Sequence, residues 1–264
     1  MSYIIPSEVL KSNPRVFIHS AGGRQVVVKR RVKPDMIFAH VFQNTLARLM
    51  REPMMIRTDD IGKGEWPEAK KLRTLRENGL SVPEVLYEAE NYFVLEYVGR
   101  NLADVLARER DPAKKYAYVE HALLKLRTLH EKRFIHGGSQ IKNFTIQGGE
   151  IYLIDFEEVI PREYFEEFRI RDIILFAMSL EKEDLPFDLG WLCEAYGGQS
   201  GKDVHRRLED AVLKYRFLKF LGAGIFSWIP MDDVRAAIAL IKKAERAAAP
   251  GVSRDDNVAD AHRF

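Results

Sequence analysis

Cys193 is the sole cysteine of the chain, which excludes an intramolecular disulfide and any multi-cysteine metal site and fits a reducing compartment. No run of about 18 apolar residues that could span a bilayer is present. Residues 1–6 lack the basic-then-apolar layout of a secretory signal, so a cytoplasmic location is expected. An excess of either charge is missing too: 41 Lys and Arg stand against 39 Asp and Glu. Global charge therefore gives no ground for a nucleic-acid partner, and none is expected. No unit of about 20–50 residues repeats, which argues against a solenoid or a propeller.

What the chain does have is apolar residues, 46% of 264, enough for a core in one large domain or in two lobes sharing a cleft. Two beta-like runs, 15–19 and 25–32, flank Gly22-Gly23, a tight-hairpin signal. Over 35–51, Ile37, Phe38, Val41, Phe42, Leu46, Leu49 and Met50 recur at helical steps and predict an amphipathic helix ending before Pro53. A second helix is predicted over 68–78, opened by Pro67 and closed by Gly79, followed by strands over 84–88 and 92–97. After Gly99 the pattern turns helical: 102–109, 116–132, 163–180, 204–221 and 232–248. One hairpin interrupts it, 144–146 and 151–154 around Gly148-Gly149, and the polar residues 253–264 are expected to be a disordered tail. Sheet first and helices second gives an α+β class, with two unlike lobes, 1–99 and 100–252, around a cleft.

The stretch from Leu129-His130 through His136-Gly137-Gly138 to Asn143, followed by Ile154-Asp155-Phe156, resembles the catalytic and metal-binding loops of the protein-kinase-like superfamily. The compact bacterial members are closest in flavour: the RIO kinases and the kinases of lipopolysaccharide core sugars. The resemblance runs over about 25–180 and implies a bilobed kinase-like fold that binds ATP and Mg2+. Asn143, five residues after Gly138, and Asp155, twelve after Asn143, would be the magnesium ligands, a pair of hard oxygen donors of the kind this ion takes from proteins. Lys29, ending Val26-Val27-Val28, resembles the third-strand lysine that bridges the phosphates. Glu68 resembles its helical partner, with Glu65 and Glu77 as alternatives. A lysine ending such a strand is in most proteins a solvated edge residue.

The segment 92–99 looks like the fifth strand and hinge, which would present main-chain groups of Glu96 and Val98 to adenine with Leu95 behind. Asp172 resembles the helix aspartate that accepts catalytic-loop amides, and His136 reads as a scaffold residue. Three departures stand out. The glycine-rich phosphate loop is reduced to Gly22 and Gly23; Glu157 and Glu158 follow Asp155-Phe156 where a glycine is usual; and Gly138 stands where the family has an aspartate. The acceptor implied is a hydroxyl of a sugar, glycolipid or protein. Helix 35–51 suits core packing or, through its apolar face and flanking basic residues, contact at the inner membrane.

Overall fold

The computed structural model describes residues 3–30, 56–57, 66–156, 158–159, 162–197, 201–214 and 231–248. A short helix, α1 (Ser7–Ser12), precedes strands β1 (Val16–Ala21) and β2 (Arg24–Arg30). Gly22 and Gly23 join the strands with φ of +58° and +78°, the left-handed pair that a two-residue hairpin needs. The strand β3 (Ile56–Arg57) is followed by α2 (Pro67–Glu77), β4 (Val85–Glu88) and β5 (Tyr92–Glu96). Strands β1, β2, β5 and β4 form one antiparallel sheet in that spatial order.

Period-2 alternation gives this sheet two apolar faces. Val26, Val28, Tyr92 and Val94 pack with Ile5 and Phe17, and Val9 and Leu10 of α1 lie against them. Val27, Phe93 and Leu95 face the other way, toward Ala69, Leu72 and Leu75 of α2. Trp66, just before that helix, packs against Phe93 with the ring centres 4.8 Å apart and the planes tilted by 50°, and donates from Nε1 to the Ala89 carbonyl at 2.8 Å. Lys29 pairs with Phe93 across β2 and β5 and shares the α2 face.

Beyond Gly99 the chain is mostly helical. A two-residue strand β6 (Arg100–Asn101) leads into α3 (Leu102–Arg108) and α4 (Pro112–Glu131). Asn101 caps α3 by accepting from Ala103 N, and Asp111 caps α4 by accepting from Ala113 N, with Pro112 in the first turn. The hairpin β7 (Phe144–Gln147) and β8 (Glu150–Leu153) turns at Gly148 and Gly149, and β7 also pairs with β6. A further short strand, β9 (Glu158–Val159), pairs with β3, and α5 (Phe165–Lys182), α6 (Leu189–Gly197), α7 (Gly201–Leu213) and α8 (Met231–Ala248) complete the fold.

An antiparallel sheet followed by a mainly helical part is the α+β arrangement of a bilobed kinase-like fold. Two helices, α1 and α6, and the two-residue strands β3, β6 and β9 have no counterpart among the elements expected from the sequence pattern, and helix 204–221 begins earlier, at Gly201. The helix expected over 35–51 and the tail 253–264 lie outside the described residues. Among the described residues no helix is long and apolar enough to cross a membrane.

Candidate active site

The β-pairing register decides where the hairpin residues meet. Phe144 pairs with Leu153, so Asn143 and Ile154 sit at the same end of the hairpin, and Ile154 N donates to Asn143 O at 3.0 Å. Asp155 is the next residue and turns out of the strand direction with φ of +69°. A non-glycine residue in that left-handed region is uncommon and costs roughly 1 kcal/mol or more, a strain that clusters at functional sites.

Asp155 is brought to Lys29. Lys29 Nζ donates to Asp155 Oδ1 at 2.7 Å and to Glu68 Oε1 at 2.6 Å. The helix α2 presents Glu68 from its first turn, so of the three glutamates weighed from the sequence it is Glu68 that meets the lysine. Lys29 and Glu68 are buried, whereas the Asp155 side chain is 39% exposed, so the cluster opens to solvent on the Asp155 side. Burial opposes the charge on Lys29, but the carboxylates of Glu68 and Asp155 outweigh it and raise the amine above its ordinary value. Burial likewise pushes the Asp155 carboxyl up, yet the charge and hydrogen bond of Lys29 prevail and hold it below the carboxylate range.

Asn143 Nδ2 donates to the Gly138 carbonyl at 2.6 Å. A carbonyl only accepts, so this bond fixes which way the amide faces and leaves Oδ1 as the atom with which the side chain can accept. An ionised carboxylate and an oriented amide oxygen from the two strands at one end of the hairpin are the hard donors that magnesium takes from a protein, so the residues present fit that ion.

The loop ahead of Asn143 hangs on Asp172 of α5, which is fully buried. Its Oδ2 accepts from His136 N at 2.8 Å and its Oδ1 from Gly137 N at 3.0 Å. His130 Nε2 lies 3.0 Å from Oδ2 and must donate, while Nδ1 meets the Tyr196 hydroxyl at 2.7 Å. Ser139 Oγ donates to the Asp172 carbonyl at 2.5 Å, and Ile141 N donates to Ser179 Oγ at 2.9 Å. Burial would raise the Asp172 carboxyl, but the hydrogen bond and charge of His130 hold it below the usual value. His136 is fully buried, its ring stacked on Phe156 at 4.5 Å with Phe144 at 6.0 Å, and burial pushes its pKa down to about 4. His130, Tyr196 and Ser179 have no assigned role in the sequence analysis. Only Leu129-His130, at the end of a helical pattern, carried a signal for any of them.

The remaining candidates are placed less sharply. Leu95 and Val98 are buried, with Leu95 on the same sheet face as Lys29. Glu96 N donates to Glu84 O at 2.9 Å, so that donor is committed within the protein. Gly22 and Gly23 form the β1–β2 turn, and Glu157 lies outside the described residues.

Fold and site together define a protein-kinase-like arrangement. Residues 64–185 match the RIO domain, a span that contains Glu68, His136, Asn143, Asp155 and Asp172, and the match supports a place in the protein-kinase-like superfamily. An uncharacterized protein of Haemophilus influenzae is 32% identical over 135 residues, covering 46% of this chain and 56% of that protein. The chain thus spans little more than half of that relative's length.

Proposed function

We propose that the chain is an atypical kinase-like phosphotransferase that binds ATP with Mg2+ between a sheet lobe (1–99) and a helical lobe (100–252) and moves the γ-phosphoryl group to a hydroxyl. The observation that carries this reading is Lys29 Nζ held between Glu68 Oε1 and Asp155 Oδ1 at 2.6 and 2.7 Å. Phosphoryl transfer asks a protein chiefly to position a metal-bound triphosphate and to neutralise charge on it. Lys29 supplies a cation to the phosphates, Glu68 keeps it extended from the buried side, and Asp155 and Asn143 hold the ion. Bound magnesium would neutralise charge developing on the transferred group. Main-chain groups near Glu96 and Val98, Leu95 and the Gly22-Gly23 turn complete the nucleotide site, while Asp172 and His136 hold the loop in shape. A sugar, glycolipid or protein hydroxyl is the acceptor class, and any membrane contact would run through 35–51.

A second reading, a nucleotide-binding scaffold or an AMP transferase, is favoured by Gly138, which puts no carboxylate where the family resemblance calls for one to orient the acceptor. Incubation with Mg2+ and ATP labelled separately at the α and γ phosphates decides among them. Transfer of γ label that disappears in Asp155→Ala supports the kinase, α label the AMP transferase, and binding without either the scaffold.

A further inference from the structure

A cavity of about 330 Å³ opens between the end of α4 and the starts of α5 and α7, and none of Lys29, Asn143 or Asp155 lines it. Its charged lining is Arg127, Arg133 and Arg169 against Glu131 and Glu166, an excess of one positive charge. The carboxylates are already engaged. Glu131 takes Arg127 Nε at 2.7 Å, and Glu166 is shared among Arg169 at 2.8 Å, Arg133 at 3.4 Å and Arg207 at 3.5 Å. Arg207 also has Asp203 at 3.0 Å and Arg169 also bonds the Tyr196 hydroxyl, but each guanidinium fork carries five donors, more than these acceptors satisfy. Arg169 Nε is buried and has no hydrogen-bond partner among the described residues.

The geometry is also prepared in advance. The Arg133 guanidinium sits 3.8 Å from the centre of the Phe165 ring, which holds the fork in place, and Arg133 itself occupies a left-handed position at φ +63°, where glycine is the ordinary choice after a helix. Arginine forks recognise oxyanions through paired N–H donors. A carboxylate offers two oxygens in one plane. A phosphoryl group offers three pointing in different directions, which suits guanidiniums arriving from α4, from the turn after it and from α5. The volume is at the low end of the range for small-molecule sites.

We infer that this cavity binds a small phosphoryl-bearing molecule through Arg127, Arg133 and Arg169, at a site separate from the Lys29 cluster. Titration calorimetry of the full chain with inorganic pyrophosphate, without magnesium, tests it. Saturable binding is expected in the wild type, weakened about tenfold or more by Arg169→Gln and by Arg133→Gln. The Arg133 side chain is 67% exposed, so its substitution leaves the fold intact even if that of Arg169 does not. Absence of saturable heat at millimolar pyrophosphate overturns the assignment. So does binding that is untouched by Arg133→Gln, since pyrophosphate would then be reporting the nucleotide site.

Discussion

Lys29 Nζ and Asp155 Oδ1 lie 2.7 Å apart although 126 positions separate them in the chain, and the same amine contacts the buried Glu68. Removing the lysine therefore takes a charge partner from a carboxylate that water hardly reaches. Breaking a buried pair from one side costs about 3–5 kcal/mol, so Lys29→Met is expected near the lower end of that range. Asp155→Ala should cost less than half as much, because Lys29 keeps Glu68 and the Asp155 side chain is already 39% exposed. Urea unfolding followed by the fluorescence of buried Trp66 measures both. Equal losses in the two variants would mean that Glu68 does not depend on this amine.

Asp172 offers a sharper test of what holds the loop. Its carboxylate accepts from the amides of His136 and Gly137 and from His130 Nε2, all buried. Alanine leaves these donors without an acceptor, at about 1–3 kcal/mol each, so Asp172→Ala is expected to lose about 4 kcal/mol or more. Asparagine keeps one acceptor oxygen, and its loss should be about half. A thermal melt ranks the two, and an Asp172→Ala protein as stable as the wild type would show that the loop is held by packing alone.

Much of this arrangement is legible in the sequence because it is local. The Gly22-Gly23 and Gly148-Gly149 turns need a left-handed pair, and the period-2 strands beside them fix which residues share a face. Given the hairpin, Asn143 and Asp155 must come together, since they flank its paired ends. The supporting network is different in kind. His130 meets Tyr196 across 66 positions and Asp172 across 42, and no periodicity encodes the packing of α4 against α6 and α5. The helix α6 itself is short, and its composition shows little contrast between an inner and an outer face.

His136 makes stability depend on pH in a defined window. Its pKa is about 4 in the folded protein, chiefly through burial, against an ordinary value of 6.5. Between those values the unfolded chain binds the extra proton, so stability rises with pH across the window and is fully present above about 6.5. The span corresponds to about 3 kcal/mol lost as the pH falls from 6.5 toward 4. His136→Phe keeps the stacking with Phe144 and Phe156 and removes the titration, so its unfolding midpoint in urea should change much less with pH over that interval. Parallel profiles for the two proteins would assign the acid sensitivity to carboxylates instead.

Two glycines with opposite geometry separate a fold requirement from a chemical choice. At Gly99, with φ of +92°, an added Cβ would lie 2.0 Å from the Ile146 carbonyl oxygen, so only glycine passes there, and Gly99→Ala should cost several kcal/mol. At Gly138 the backbone is not left-handed, and an added Cβ would meet Asn143 Nδ2 at an ordinary 3.5 Å. The fold accepts a side chain at that position, and Gly138→Asp is expected to change stability by less than about 1 kcal/mol, as for a substitution without cavity, clash or stranded group. If the protein transfers phosphoryl groups, that aspartate would orient the acceptor hydroxyl and take up its proton, an effect worth roughly 100- to 10,000-fold in rate. Transfer of γ label by Gly138→Asp should then exceed that of the wild type by at least the lower figure. A variant that folds and binds ATP as the wild type does but transfers no faster would count against the kinase and for a site that holds nucleotide without spending it.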